Sequence, residues 1–304
     1  MAAPSNNQVA SVGRLLLDTG VALPARFRAL FTLRNLGGRE AVEWIGRGFG
    51  DESALLKHEL AYCLGQMRDR SAVPILCSVL KDRSQEPMVR HEAGEALGAI
   101  GDPDVLELLK EYSQDSVIEV AETCQLAIQR IEWLQSNPDA PDDNPFLSVD
   151  PAPPAEERDV PKLRAILVDD NLQLFERYRA MFALRNIGGK DAVLALIDGL
   201  QCGGSLFRHE IGYVLGQMQH EAAVPGLAAA LDRLHENPMV RHECAEALGS
   251  IAQEDCLKAL RTHLGDLEQV VRESCEVALD MYEYENSGDF QYANGLSQIQ
   301  ELAS

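Results

Sequence analysis

Apolar residues recur along this chain at the spacing of one face of an α-helix. Leu60, Leu64 and Met67 form one such face, because residues three and four positions apart lie on the same side of a helix. Glycine or proline separates the segments that show this spacing. The pattern predicts a chain of many helices joined by short turns.

The segment that begins at Ser71 shows how one unit is built. The pattern predicts a first helix from Ala72 to Leu80 and a second helix that Pro87 opens and Gly101 ends. Proline is tolerated at the first helical position because its missing N–H would have no helical partner there, and glycine suits a left-handed helix cap. Each unit is therefore predicted to be a helical hairpin.

The chain also repeats itself on a larger scale. Residues 25–133 align with residues 176–284 at a constant offset of 151 positions and without a gap, with 45 identities in 109 positions. The longest shared segments include residues 87–92 and 238–243, which both read P-M-V-R-H-E. The sequence therefore contains a duplicated domain.

Each half divides again into four units. A cationic or small residue marks the same position of each unit, with spacings of 31, 33 and 31 residues in both halves. These anchor residues are Arg26, Lys57, Arg90 and Ala121, followed by Arg177, Arg208, Arg241 and Arg272. A helical period in the low thirties indicates a solenoid of stacked hairpins, similar to short HEAT-like repeats. The predicted fold is all-α, with eight repeats in two pseudo-symmetric halves of four.

The domain boundaries follow from this repeat and from composition. Residues 1–134 and 161–285 are predicted to be the N-terminal and C-terminal halves. Residues 135–160 hold six prolines and seven acidic residues with no apolar period, which is typical of a solvated linker. Residues 286–304 are predicted to be a polar tail.

Histidine–glutamate pairs are the most informative local pattern. Four of the seven histidines directly precede a glutamate, each one residue after an anchor and only in the two inner units of each half. These pairs are His58-Glu59, His91-Glu92, His209-Glu210 and His242-Glu243. A purely structural repeat residue would have no reason to avoid the outer units. Second helices line the concave face of a solenoid, so the pairs are predicted to share one groove.

These residue types indicate a metal site. Imidazole with carboxylate and no thiolate suits iron or manganese better than structural zinc, and two histidines with one carboxylate is a set used for oxygen activation at Fe(II). Neighbouring helices lie about 10 Å apart, so each half can offer two imidazoles and two carboxylates to one ion. The two halves together predict a dinuclear site. Some of the glutamates can instead hold a cationic substrate.

Other candidates are weaker. Met88 and Met239 follow the helix-opening prolines and could line a substrate channel, although packing is the commoner role of such a methionine. His220, His235 and His263 have no matching histidine in the other half and are predicted to lie at the surface.

Charge and composition narrow the choice of partners. The 304 residues carry 48 acidic and 27 basic side chains, a formal net charge of −21. Nucleic acid phosphates and anionic lipids both need a basic face, so neither is an expected partner, and a basic substrate fits better. The seven scattered cysteines form no C-x-x-C pair, and no apolar run is long enough for a signal peptide or a membrane span. Free thiols and a cytoplasmic location are expected.

The repeat pattern, the acidic proline-rich linker and the four paired motifs closely resemble the deoxyhypusine hydroxylase family over roughly residues 10–290. The segments K-H-E-L, V-R-H-E-A, F-R-H-E-I and V-R-H-E-C carry the resemblance. It implies a non-haem di-iron monooxygenase that uses dioxygen and two Fe²⁺ ions, through a peroxo-diferric intermediate. The implied substrate is the deoxyhypusine side chain of eukaryotic translation initiation factor 5A, which becomes hypusine.

The resemblance also implies roles for the eight motif residues. One iron would be held by His58, His91 and Glu92, and the other by His209, His242 and Glu243. Glu59 and Glu210 would bind the amines of the substrate, and whether they also ligate iron stays open. Two other functions remain as alternatives, namely a noncatalytic HEAT-repeat scaffold and a dinuclear metallohydrolase.

Overall fold

A computed structural model describes residues 6–139 and 144–297 of the chain. This part contains sixteen α-helices, a few short 3₁₀ turns and no β-strand. The first eight helices are α1 (Asn6–Leu17), α2 (Leu23–Leu36), α3 (Gly38–Gly46), α4 (Ala54–Met67), α5 (Val73–Lys81), α6 (Pro87–Ile100), α7 (Leu106–Tyr112) and α8 (Ile118–Ser136). The other eight are α9 (Val160–Leu167), α10 (Leu174–Ile187), α11 (Gly189–Gly199), α12 (Ser205–Met218), α13 (Val224–Leu231), α14 (Pro238–Ile251), α15 (Glu254–His263) and α16 (Gln269–Glu285). Within the described ranges, no helix is both long enough and apolar enough to cross a membrane.

The chain forms two compact units. The first contains residues Met1–Ile131 together with Asp289–Ser304, and the second contains Glu132–Gly288. In both units a short first helix packs against a longer second helix, as in the pairs α5–α6 and α13–α14. The predicted all-α, HEAT-like class is confirmed, whereas the count of eight repeats stays a prediction.

The helix ends of the unit around α6 agree with the sequence pattern. Pro87 is the first residue of α6, and Gly101 caps its other end in the left-handed conformation, with its N–H donating to the carbonyl of Leu97. The preceding helix α5 begins after a 3₁₀ turn at Arg70–Ala72. Local turn chemistry therefore fixes where these helices start and stop.

Successive second helices approach closely because small residues face each other. A Cβ atom added to Gly65 of α4 would lie 2.8 Å from Cα of Ala96 in α6. The same contact in the second unit joins Gly216 of α12 to Ala247 of α14, at 3.1 Å. Since two side chains of the His–Glu motif stand on each of these helices, the short approach brings the motifs together.

The anchor arginines are structural. In four units the Nε atom of the anchor donates to the carbonyl of the leucine ten positions earlier, at 2.8 to 3.0 Å. These pairs are Arg26–Leu16, Arg90–Leu80, Arg177–Leu167 and Arg241–Leu231. Three of the guanidinium groups also pair with an aspartate 25 positions later, namely Asp51, Asp115 and Asp266. Each such anchor joins the helices before and after it.

The linker has ordered contacts with the second unit. Asp150 accepts hydrogen bonds from the buried guanidinium of Arg185 in α10, at 2.9 and 2.6 Å. The N–H of Ala155 donates to the carbonyl of Arg179, also in α10. Residues 140–143 of the predicted linker lie outside the described residues.

The tail has comparable contacts with the first unit. The guanidinium of Arg28 in α2 lies 4.5 Å from the ring centroid of Tyr292, and the N–H of Gly295 donates to Oγ1 of Thr32 at 2.9 Å. Helix α2 of the first unit is equivalent to α10 of the second unit in the duplicated sequence. The tail contacts α2 and the linker contacts α10, so the two segments pack on equivalent helices. Residues 298–304 of the predicted tail lie outside the described residues. The predicted limits of the two halves, the linker and the tail stay predictions.

Candidate metal centre

The four His–Glu pairs lie on the second helices α4, α6, α12 and α14, as the repeat register predicts. All eight side chains are buried, and His91 and His242 are fully inaccessible to solvent. Burying several carboxylates among imidazoles is costly unless a cation or hydrogen bonds compensate. A cation bound by these imidazoles and carboxylates would offset the cost of burying them.

In the first unit the structure brings together His58, His91 and Glu92. One ligand atom from each lies within 4.8 Å of the others. His58 Nε2 is 3.3 Å from Glu92 Oε2, and the two imidazole rings have centroids 5.4 Å apart. Two donor atoms that each lie about 2.1 Å from one ion are separated by about 3 to 4 Å. The His58–Glu92 separation lies in this range, so the three residues form a candidate site for one metal ion.

The second unit repeats two of these distances. His209 Nε2 is 3.2 Å from Glu243 Oε2, and the rings of His209 and His242 have centroids 5.3 Å apart. Within this unit the three residues whose ligand atoms all lie within 4.8 Å of one another are His242, Glu243 and Glu246. The predicted ligands are thus close neighbours here too, with one additional carboxylate beside them.

Glu59 and Glu210 stand beside these groups. Glu59 Oε2 lies 3.9 Å from Nδ1 of His58, and both glutamates are buried. Neither belongs to the close three-residue groups that the structure forms within each unit. Their predicted role in binding substrate stays a prediction.

The methionines and the unmatched histidines have different surroundings. Met88 and Met239 are buried in the first turns of α6 and α14, and their substrate role stays a prediction. The surface prediction holds for His235, which is exposed, but it is wrong for His263. His263 is buried, and Asp232 and Asp266 lie within hydrogen-bond distance of its Nε2 and Nδ1, at 2.8 and 3.0 Å, which compensates for the lost contact with water. His220 is partly buried, and its Nδ1 accepts from the N–H of Ala222.

Two buried thiols lie close to the candidate ligands. Burial raises the pKa of the Cys63 thiol well above its usual value, and the Glu59 and Glu92 carboxylates raise it further. Burial likewise raises the pKa of Cys244, with Glu243 adding to the effect. All seven cysteines are free, as expected.

Sequence reasoning did not find Glu246. This residue lies one helical turn after His242, with Oε1 3.5 Å from Nδ1 of that histidine. Ser274 of α16 donates to Glu246 Oε1 at 3.2 Å. The signal was present, because the third repeat of each half reads H-E-x-x-E, with Glu95 as the first-half equivalent.

The set of candidate ligand atoms favours some metals over others. Two imidazoles and a carboxylate leave coordination positions open, which suits a redox-active ion such as iron more than a closed structural site. Because the residues recur in both units, the chain offers one candidate metal site in each.

Sequence models of protein families agree with the fold. A model of HEAT repeats matches residues 42–129 and 194–280, and a model described as PBS lyase HEAT-like repeat matches residues 176–202. The fold and the site together define a HEAT-repeat protein with a buried histidine–glutamate centre in each of two duplicated units.

Relatives of similar length narrow this class. The chain is 79% identical to deoxyhypusine hydroxylase of Xenopus laevis over 99% of both chains. It is 68% identical to the human protein of that name, also over 99% of both chains, and 56% identical to the Drosophila melanogaster protein over 97% of this chain and 98% of that one. The chain therefore belongs to the deoxyhypusine hydroxylase family.

A solved structure is similar as well. The structure of human deoxyhypusine hydroxylase in complex with glycerol matches with a TM-score of 0.91 and 69% sequence identity, covering 92% of this chain and 97% of that one.

Proposed function

We propose that this protein hydroxylates the deoxyhypusine side chain of eukaryotic translation initiation factor 5A, forming hypusine, with dioxygen and two iron ions. The observation that carries the proposal is the duplicated buried centre, in which a histidine Nε2 lies 3.3 Å from a glutamate Oε2 in one unit and 3.2 Å in the other. Membership of the deoxyhypusine hydroxylase family supports the choice of substrate.

The donor set supports iron as the metal. His58, His91 and Glu92 would hold one ion, and His209, His242 and Glu243 the other. Bound iron would supply the redox chemistry that activates dioxygen. The reaction inserts one oxygen atom of dioxygen into a C–H bond, and the other leaves as water after taking up two electrons and two protons. An external reductant must supply these electrons.

The chain's own residues would bind and orient the substrate. Deoxyhypusine is a long cationic side chain, so Glu59 and Glu210 are suited to accept charge-assisted hydrogen bonds from its amines. Their burial strengthens these bonds by excluding water, and a fixed position presents one C–H bond to the oxidant. The net charge of −21 attracts a basic side chain from a distance.

One experiment tests the proposal against both alternatives. Metal content is measured in the purified full-length protein, which is then reduced and mixed with oxygen and the deoxyhypusine-bearing factor, and product is analysed by mass spectrometry. The proposal expects two irons per chain and the gain of one oxygen atom that derives from dioxygen. A protein without metal and without activity would indicate a scaffold. A reaction with the factor that proceeds equally well without oxygen would indicate a hydrolase.

Matched histidine variants make the test specific. His91→Ala removes a predicted ligand from a fully buried position, whereas His235→Ala changes an exposed histidine outside the centre. The first variant is expected to lose iron and hydroxylation, and the second to retain both. Equal iron content in the two variants contradicts the ligand assignment.

A further inference from the structure

A second carboxylate lies beside one histidine of the second unit, His242. Glu246 lies on α14 four positions after His242, and its Oε1 is 3.5 Å from Nδ1 of the imidazole. This separation is slightly longer than an ordinary N–H···O hydrogen bond, about 2.7 to 3.2 Å. Since His242 is fully buried, water does not compete for this nitrogen.

The next helix of the stack holds Glu246 in turn. Ser274 of α16 donates its hydroxyl to Glu246 Oε1 at 3.2 Å, and Ser274 is fully buried. In the repeat register Ser274 occupies the position that Glu243 occupies one unit earlier. The final repeat thus provides a supporting hydroxyl where the inner repeats provide a carboxylate.

We propose that Glu246 is a positioning residue, which accepts a hydrogen bond from Nδ1–H of His242 and thereby fixes the tautomer and the ring orientation of that histidine. A neutral imidazole carries one proton, so holding it at Nδ1 leaves the lone pair of Nε2 available to a metal ion. A carboxylate behind a ligating histidine also increases the basicity of the ring. The inference rests on the proposed metal site of the second unit.

The first unit retains the same residue types. Glu95 stands four positions after His91, and Thr123 replaces Ser274 at the equivalent position. Thr123 is buried as Ser274 is. Among the described residues, Oγ1 of Thr123 has no hydrogen-bond partner, unlike Oγ of Ser274, so the positioning role is assigned to Glu246 alone.

The first test measures Fe²⁺ binding to the metal-free full-length chain by titration. Glu246→Ala is expected to weaken one of the two sites by about 10- to 100-fold, whereas Glu246→Gln, which keeps an oxygen acceptor, is expected to retain most of the affinity. Glu276→Ala, an exposed carboxylate of α16, is the matched control and should bind as the unchanged chain does. Unaltered affinity in Glu246→Ala overturns the inference. So does a loss in Glu246→Gln as large as in His242→Ala, because that result makes Glu246 a ligand.

The second test reads the tautomer directly. ¹⁵N NMR of the metal-free chain with labelled histidine is expected to show His242 protonated at Nδ1, and Glu246→Ala is expected to lose this preference. Protonation at Nε2 in the unchanged chain overturns the inference. Because this measurement uses no iron, it separates the two proposals: a chain that binds no iron but shows the Nδ1–H tautomer contradicts the proposed function alone.

Discussion

At the scale of single residues, the position of a side chain in the repeat decides its role. The histidines and glutamates of the inner units converge because each follows an anchor by the same number of positions, and this could be predicted from sequence. The contact of Glu246 with Ser274 and the contact of His263 with Asp232 could not. Each depends on a partner about 30 positions away, Ser274 for one and Asp232 for the other, and helix packing alone brings these residues together.

The two glutamates beside the centre should affect substrate more than metal. Glu59→Ala and Glu210→Ala are expected to keep iron but to raise KM for the deoxyhypusine-bearing protein by roughly tenfold to hundredfold, because each removes a charge-assisted hydrogen bond of about 1.5–3 kcal/mol. Iron content and steady-state kinetics check this. His58→Ala is the comparison that should lose iron, and an equal loss in the glutamate variants would refute the division of roles.

At the scale of helices, the close packing of α4 against α6 and of α12 against α14 determines the geometry of the centre. Sequence pattern predicts the helices and their ends, since caps and apolar spacing are local. It does not predict which glycine lies against which alanine, because that contact joins residues about 30 positions apart and depends on the crossing of two helices.

A substitution at Gly65 tests the close contact. Gly65→Ala would place Cβ 2.8 Å from the backbone of Ala96, and the overpacking, about 1–3 kcal/mol, exceeds the helix-propensity gain of about 1 kcal/mol. The free energy of unfolding, measured with urea, is expected to fall. Gly94→Ala on α6, whose nearest neighbours are side-chain atoms at 3.3 and 3.4 Å, is the control. If Gly65→Ala did not lower the free energy of unfolding relative to Gly94→Ala, this close packing would be contradicted.

The duplicated domain provides a natural comparison of helix caps. Gly101 and Ala252 occupy equivalent positions, and both have positive φ, 72° and 54°. Only glycine adopts this conformation without steric cost. Ala252→Gly is expected to raise the free energy of unfolding by about 0.5–1 kcal/mol and Gly101→Ala to lower it by a similar amount. Thermal and urea unfolding measure both, and changes of the same sign would refute the explanation.

At the scale of the whole molecule, each unit contains buried arginine–aspartate pairs that connect helices within that unit. The hydrogen bond from Arg90 lowers the pKa of Asp115, and that from Arg241 lowers the pKa of Asp266. A carboxylate with a lowered pKa in the folded state stabilises the fold above its unfolded pKa, about 3.9. That contribution is lost as pH falls through the lower folded value.

Acid unfolding should therefore depend on these pairs. Asp266→Asn is expected to lower stability at neutral pH and to flatten the decline of stability below about pH 4, because the substituted side chain cannot take up the proton. Urea unfolding across the acid range measures the slope. Asp191→Asn, at an exposed position, should leave the slope unchanged. An Asp266→Asn slope equal to that of the unchanged chain would exclude this pair as a contributor.

The sequence by itself determined the all-α repeat class, the duplication, the ends of α6 and the family, because these depend on local spacing and on motifs within single helices. The iron ligands, the cytoplasmic location and the repeat count stay predictions. Only the tertiary structure decided that three anchor arginines bridge neighbouring helices, that the linker and the tail pack on α10 and α2, and that Ser274 of α16 donates to Glu246 of α14. The physical reason is that these contacts join residues far apart in the chain, and helix packing selects the partner of each.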